Sequence, residues 1–412
     1  MKKGLKKSLL ATMVMSAAFS FSITAKASGA TFKDVPSKHW AYNAIEQVAN
    51  KKLVAGYQDG TFKPSGNVTR AEFATFLART FDGDKRENET FDDVSDAHWA
   101  KDAVEEGIAL GFIQPSDYKN NKFEPSKAMT RQEIAKWLAN GLNAINPEYG
   151  EIASTIQEGK YTLLPIAEMY KGGLNKSEYG NVGLMLGTGL MSGFDDGSFK
   201  ATGNTTRAEI ATILIRFEEA KKKNPGTIKA LNELVEVATT GTNMLSATKF
   251  EYKKEDPFTN IIGKPHSFTR NNSGAATIEK MIFVEGDTLQ KALNSSVFAK
   301  MFVGKNTFFF EGNNNVIQVF TEMTFTSNRE KLTIDDYSNG STSTFISNVG
   351  IQDKLKVQNY GLTTLDADNW GSFIKKDKKV KYWTERINEY EVGRLDGHTT
   401  DDGTRFSYRR YK

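Results

Sequence analysis

The 412-residue chain contains no cysteine. That excludes disulfide frameworks, cysteine nucleophiles, thiolate metal sites and lipid attachment through an N-terminal cysteine. Histidine is nearly as scarce. The four residues at 39, 98, 266 and 398 leave little for imidazole-rich catalytic or metal centres. Long apolar runs are missing beyond the N-terminus. The longest later uncharged stretch, residues 179–194, is 16 residues with five glycines, too short to span a bilayer. A strong charge of one sign is missing too. Five lysines fall within residues 1–27, residues 28–220 carry 21 basic and 27 acidic side chains, and residues 221–412 carry 28 and 23. That balance gives no argument for a nucleic-acid partner. What remains is a chain of 39% apolar and 25% charged residues, the composition of globular domains, and long enough for two to four of them.

The N-terminus reads as a targeting segment. Lys2, Lys3, Lys6 and Lys7 precede an uncharged run over residues 8–25, and Ala25-Lys26-Ala27 supplies a small-x-small cleavage site. This is the layout of a secretory signal peptide over 1–27. The C-terminus ends in Arg-Arg-Tyr-Lys without an apolar tail, so any wall attachment is expected from elsewhere in the chain.

Self-similarity then dominates residues 31–220. Thr69-Arg70-Ala71-Glu72 recurs as Thr130-Arg131-Gln132-Glu133 and as Thr206-Arg207-Ala208-Glu209. Phe32-Lys33-Asp34-Val35 with His39-Trp40-Ala41 recurs as Phe91-Asp92-Asp93-Val94 with His98-Trp99-Ala100. Gly56-Tyr57-Gln58-Asp59-Gly60 recurs at Gly193-Phe194-Asp195-Asp196-Gly197. The expected units are 28–90, 91–150 and a divergent 151–225. Ser37 and Asp96 are cap-type residues before a helix whose apolar face is Ala41, Ala44, Ile45 and Val48. Thr-x-x-Glu is a capping box that opens a second helix. Phe73, Phe76 and Leu77 form the inward face of that helix, with Ile134, Trp137, Leu138 and Ile210, Ile213, Leu214 as counterparts. A helix–loop–helix unit cannot bury its apolar faces alone, so three copies are expected to pack together.

Arg70, Arg131 and Arg207 stand at the first helical position, the positive end of the helix dipole. Two readings are open. Exposed first-turn amides with a guanidinium make an anion site. Alternatively, each arginine pairs with a neighbouring acid such as Asp34 or Asp93.

The ordered succession Phe-x-Asp-Val, His-Trp-Ala, Gly-Tyr-x-Asp-Gly and Thr-Arg-Ala-Glu resembles the S-layer homology repeat of bacterial surface proteins, over slightly under half of the chain. The resemblance implies an all-α, pseudo-threefold bundle that binds a pyruvylated secondary cell-wall polysaccharide of Gram-positive type in grooves between repeats. It implies a carboxylate contact for Arg70, Arg131 and Arg207, and groove-lining roles for Trp40, Trp99, Asp34, Asp93, Gly56 and Gly193. No cofactor is implied. The sequence departs from the pattern twice. Repeat 2 lacks the Asp-Gly turn. Repeat 3 lacks the Phe-x-Asp-Val and His-Trp elements, with Ser177 where Trp40 would fall and a glycine-rich opening helix over residues 179–190.

Asn224-Pro225-Gly226 breaks the last repeat helix. Residues 226–412 read as a separate α+β or mainly β domain. Helices are expected around Ile228 to Ala238 and Leu289 to Val297. Strands are expected around Val319 to Phe325 and over residues 354–360, 379–392 and 404–411, with turns at Asn339-Gly340 and Asp402-Gly403. Catalytic motifs are lacking there. Glu285, Asp287, Glu322, Asp335 and Asp336 could include a glycosidase pair, but turn or strand-edge roles suit them too. Phe308-Phe309-Phe310 reads as core. The expectation is a secreted wall-anchored surface protein that displays a C-terminal binding or structural domain. Its alternatives are a peptidoglycan hydrolase with the same anchor and a lattice-forming subunit that contacts other S-layer proteins.

Overall fold

The computed structural model describes residues 31–81, 89–313, 316–346, 350–366 and 370–411. The expected signal peptide lies outside the described residues. Helices make up the described N-terminal part, and sheets with short helices make up the C-terminal part.

Repeat 1 consists of α1 (Tyr42–Asn50) and α2 (Arg70–Ala78). Repeat 2 consists of α3 (Lys101–Ala109) and α4 (Arg131–Ile145). Two inserted helices follow, α5 (Glu148–Glu158) and α6 (Glu168–Lys171), and then repeat 3 with α7 (Tyr179–Thr188) and α8 (Arg207–Ala220). The three expected capping boxes form at Thr69/Glu72, Thr130/Glu133 and Thr206/Glu209. Ser37 and Asp96 do not cap α1 and α3. Those helices start after Ala41 and Ala100, whose amides donate to Nδ1 of His39 (3.1 Å) and His98 (3.2 Å). Asp96 instead pairs with Lys101.

The residue before each capping threonine joins a ring of backbone hydrogen bonds. Val68 N–H donates to Thr205 C=O (3.0 Å), Thr205 N–H to Met129 C=O (3.0 Å), and Met129 N–H to Val68 C=O (2.9 Å). Three donors and three acceptors close on themselves, which relates the repeats by a pseudo-threefold axis. Second helices pack on the next repeat's first helix: α2 on α3, α4 on α7, and α8 back on α1.

The glycine-rich helix α7 has a packing explanation. It is clamped by α5 on one side and by α9 (Lys229–Thr240) on another. A Cβ on Gly180 would lie 2.4 Å from Ala153 C=O, one on Gly183 2.9 Å from Ile156, and one on Gly187 2.3 Å from Leu231. Glycine at i, i+3 and i+7 lets three helices approach where any side chain would collide.

After α9 come α10 (Met244–Ala247), β1 (Phe250–Tyr252), β2 (Pro265–Ser267), β3 (Gly274–Glu285), α11 (Leu289–Ser295) and α12 (Ala299–Phe302). The chain continues through β4 (Val316–Ser327), α13 (Ile334–Gly340), α14 (Lys354–Asn359), α15 (Trp370–Phe373), β5 (Lys379–Glu389), β6 (Leu395–Thr399) and β7 (Arg405–Arg410). The sheets run β2-β3-β4-β5 and β1-β7-β6, all antiparallel. Residues 354–360, expected as a strand, are largely α14, because the Asp353 carboxylate caps the Lys356 amide. Asn339-Gly340 ends α13 rather than turning a hairpin, whereas Asp402-Gly403 does connect β6 to β7.

The larger sheet has two apolar faces. Met281, Phe283, Val319 and Tyr382 meet Phe250, Phe406 and Tyr408 of the smaller sheet in one core. Ile282, Val284, Phe320 and Trp383 face the other way, into a core continuous with Leu190, Ile213 and Phe217 of repeat 3. Tyr360 sits over Gly197, so that a Cβ there would be 3.1 Å from its ring.

Candidate functional site

All three Thr-Arg-x-Glu arginines are buried, at 8%, 6% and 3% exposure for Arg70, Arg131 and Arg207. Each reaches from its own helix start into another repeat. Arg70 Nη2 donates to Glu133 Oε1 (2.6 Å) and its Nη1 to Phe123 C=O (2.7 Å). Arg131 Nη1 donates to Glu209 (3.2 Å), Nε to Phe199 C=O (2.7 Å) and Nη2 to Ser192 C=O (3.0 Å). Arg207 Nη1 donates to Glu72 (2.8 Å), Nε to Phe62 C=O and Nη2 to Ala55 C=O (2.8 Å each). Each capping-box glutamate therefore serves its own helix and a neighbour's guanidinium. Burial pushes the Arg131 pKa below its usual value, opposed by Glu209 and Glu168. A buried cation needs this full complement of acceptors.

The acids that pair with the arginines are these glutamates, with Glu124 as a second partner of Arg70 at 3.0 Å, and not Asp34 or Asp93. The first-turn amides are not exposed either. Arg70 N–H donates to Lys127 C=O, Arg131 N–H to Gly203 C=O and Arg207 N–H to Gly66 C=O, while Ala71, Gln132 and Ala208 donate to Pro125, Ala201 and Pro64.

Asp34 and Asp93 hold turns. Asp34 accepts the Phe62 (2.7 Å) and Lys63 (2.8 Å) amides, and Asp93 accepts those of Phe123 and Glu124 (2.8 Å each). Lys63 and Glu124 are left-handed, with φ of 54° and 53°, a conformation disfavoured for a residue with Cβ. Repeat 3 performs the same task with Glu168, which accepts the Phe199 and Lys200 amides while Lys200 has φ 54°. The repeat pattern does not mark Glu168, because it lies on the inserted α6 and is one methylene longer than aspartate. Gly56 is required by Phe32, whose ring would be 2.3 Å from a Cβ there; Gly193 lies against Ser198 C=O at 3.1 Å.

The tryptophans behave differently. Trp40 is 50% and Trp99 65% exposed. Each indole stacks on the preceding imidazole, at 5.8 Å and 29° for His39 and 5.7 Å and 25° for His98. The imidazole is in turn fixed by the helix-entry amide. Trp99 borders a groove of about 300 Å³ between α2 and α3, lined by Thr75, Ala78, Arg79, Phe81, Trp99, Asp102, Ala103 and Glu106. Arg79 is exposed and has no ion pair among the described residues. At the repeat 2–3 junction the geometry differs. Ser177 stands in a short turn before α7, and α5 packs against both α4 and α7.

In the C-terminal part the candidate carboxylates have other engagements. Glu322 pairs with Lys280 (2.6 Å), Glu285 with Arg410 (3.7 Å), Asp287 with Lys291 (2.8 Å) and Asp336 with Arg329 (3.0 Å). Asp335 is exposed at the start of α13. Phe308 and Phe310 are not core; they are exposed and packed edge to face at 4.8 Å. The rings of His266 and His398, far apart in sequence, lie 5.0 Å apart and are tilted by 43°. Among the described residues, no group of three or more His, Asp or Glu is arranged to hold a metal, and no helix is long and apolar enough to cross a membrane.

The S-layer homology domain model matches residues 31–74, 90–135 and 174–211. The chain is 36% identical over 148 residues to a cellulosome-anchoring protein of Acetivibrio thermocellus, covering 34% of this chain and 31% of that protein. It is 25% identical over 246 residues to the S-layer protein EA1 of Bacillus anthracis, covering 58% of this chain and 26% of that protein. The match thus spans about a third or less of each relative's length. The repeats read from the sequence, with their capping boxes and closed junctions, are three S-layer homology domains.

Proposed function

We propose that the chain is a secreted protein held non-covalently on a Gram-positive cell wall. Its repeats bind secondary cell-wall polysaccharide bearing a pyruvylated terminal sugar, and the C-terminal part is displayed for binding or structure. The observation that carries this reading is the α2–α3 groove, where an exposed, histidine-backed Trp99 faces the same space as Arg79, which has no ion pair among the described residues. An indole face suits a pyranose ring, and a guanidinium suits a ketal carboxylate, which it binds in bidentate fashion. Trp40, at the start of α1 against α8, offers the equivalent platform at the repeat 3–1 junction.

In this reading Arg70, Arg131 and Arg207 set the groove walls by locking one repeat to the next. Asp34, Asp93, Gly56 and Gly193 shape the loops between them. A second reading gives Arg70 a direct carboxylate contact. It is favoured by one feature, a buried Arg70 Nε with no acceptor among the described residues.

The test is co-sedimentation of the full chain with purified walls, before and after acid removal of the polysaccharide. Point variants are preferable to truncation at residue 225, because the apolar core crosses that boundary. Equal sedimentation with stripped walls would overturn the proposal.

A further inference from the structure

The ring of repeats has three junctions, and their surfaces are not alike. The groove at the repeat 1–2 junction has Arg79 and Phe81 on its α2 wall and Trp99, Asp102 and Glu106 on its α3 wall. The repeat register, set by the three capping threonines and by the position of Trp40, carries these places to the other two junctions. At the repeat 3–1 junction Arg79 becomes Arg216, Trp99 becomes Trp40 and Asp102 becomes Asn43. Trp40 and Asn43 are exposed there, and Arg216 is partly exposed. At the repeat 2–3 junction Phe81 becomes Leu142 and Glu106 becomes Leu184, and both leucines have no accessible surface. Asp102 becomes Gly180, where a Cβ would lie 2.4 Å from Ala153 C=O of α5. Arg79 becomes Asn140, which donates to Phe112 C=O (3.2 Å), and Trp99 becomes Ser177.

We propose that the chain carries two polysaccharide sites, at the repeat 1–2 and repeat 3–1 junctions, and that α5 is a built-in plug that closes the third. The proposal rests on the wall reading for its ligand. Only Asn146 and Pro147 separate α4 from α5, so α5 folds straight back along the helix it follows and packs on α7 as well. Its place is fixed from behind. Tyr149 is buried with its hydroxyl donating to Ala220 C=O (3.2 Å), Ile156 has no accessible surface, and α9 packs against α5 too. A ligand needs a concave surface with a few accessible polar groups, and buried leucines and a glycine pressed on a carbonyl supply neither. No rotamer change can reopen that space, because the contact at Gly180 is backbone against backbone. Clearing it requires α5 to leave its core and expose apolar side chains to water. The two open junctions each keep an indole and a guanidinium position. They stand on different faces of the ring, so one chain grips the wall at two points.

The test has two arms, both on the full chain. The first is calorimetric titration with a soluble, monovalent fragment of the wall polysaccharide that bears its pyruvylated terminal sugar. The wild type should bind two fragments. Trp99→Ala and Trp40→Ala should each weaken one site and leave the other, and the two together should leave no site of wild-type affinity. A count of one or three, or a full-affinity site that survives the double change, would overturn the proposal. The second arm needs no ligand. The chain has no cysteine of its own, so single cysteines report access to a maleimide without background. Leu184→Cys should react about a hundredfold more slowly than Glu106→Cys at the matching place in the open groove. Leu142→Cys against Phe81→Cys is a second such pair, should either variant fold poorly. Equal rates within the pairs would overturn the plug. A wild type that binds no fragment would overturn the wall reading and the site count with it, and the labelling rates then judge the plug alone.

Discussion

Arg207 of the third repeat donates to Glu72 of the first at 2.8 Å, across 135 residues of chain. With Arg70–Glu133 and Arg131–Glu209 this contact turns a row of repeats into a closed ring. Opening one joint should therefore weaken all three repeats. Arg207→Met leaves Glu72 without its cationic partner and two carbonyls, those of Phe62 and Ala55, without a donor, an expected loss of about 3–5 kcal/mol. Denaturant unfolding should show one cooperative transition at lower midpoint. A double-mutant cycle with Glu72→Gln should return a coupling of about 0.5–3 kcal/mol. Near-zero coupling would contradict the closed ring.

Arg70 differs from the other two: its Nε has no acceptor among the described residues, and its second ion pair goes to the half-exposed Glu124, where a pair adds little. Arg70→Met should lower stability less than Arg207→Met by about 1 kcal/mol. An equal loss would show that the fork counts as a unit rather than donor by donor.

The turn in repeat 3 can be tested through Glu168 and Lys200. Glu168→Ala removes the acceptor that holds Lys200 at φ 54°. The expected loss is about 1–3 kcal/mol. Adding Lys200→Gly should recover part of it, since glycine adopts this conformation without strain. No recovery would place the contribution of Glu168 elsewhere.

His398 predicts an acid limit. Burial first, then the neighbouring His266, depress its pKa to about 4, against an ordinary value near 6.5. The folded state thus disfavours the proton. The stability of the neutral imidazole is intact above pH 6.5 and falls as pH drops toward 4, by roughly 3 kcal/mol in all. His398→Gln should flatten that slope. An unchanged slope between pH 6.5 and 4 would contradict the burial effect.

The repeat helices were legible because capping boxes and apolar spacing are local signals. The partners of the arginines were not. Their position at a helix start suggested exposed amides, yet those amides and guanidiniums meet the loops of other repeats, and only the ring closure brings these together. Glu168 was hidden for a similar reason: an insertion moved the acid onto α6 while the turn it serves stayed in place. In the C-terminal part, alternation marked β4, β5 and β7 correctly. Residues 354–360 misled because Asp353, just outside the pattern, decides for helix. The exposed Phe308 and Phe310 show that three consecutive aromatics carry no periodicity from which burial can be read.

The central claim is that the polymer is held by the tryptophan-bordered groove while the arginine ring holds the fold. The most direct measurement is the affinity of the full chain for a soluble, monovalent fragment of the wall polysaccharide, with thermal unfolding run alongside. Monovalency matters, because avidity on a whole wall can mask single changes. Trp99→Ala and Arg79→Gln should each weaken binding about ten- to a hundredfold with the melting temperature unchanged. Arg207→Met should lower the melting temperature first. Undiminished affinity in Trp99→Ala and Arg79→Gln, or lost affinity in Arg70→Met, Arg131→Met and Arg207→Met at unchanged melting temperature, would contradict the account.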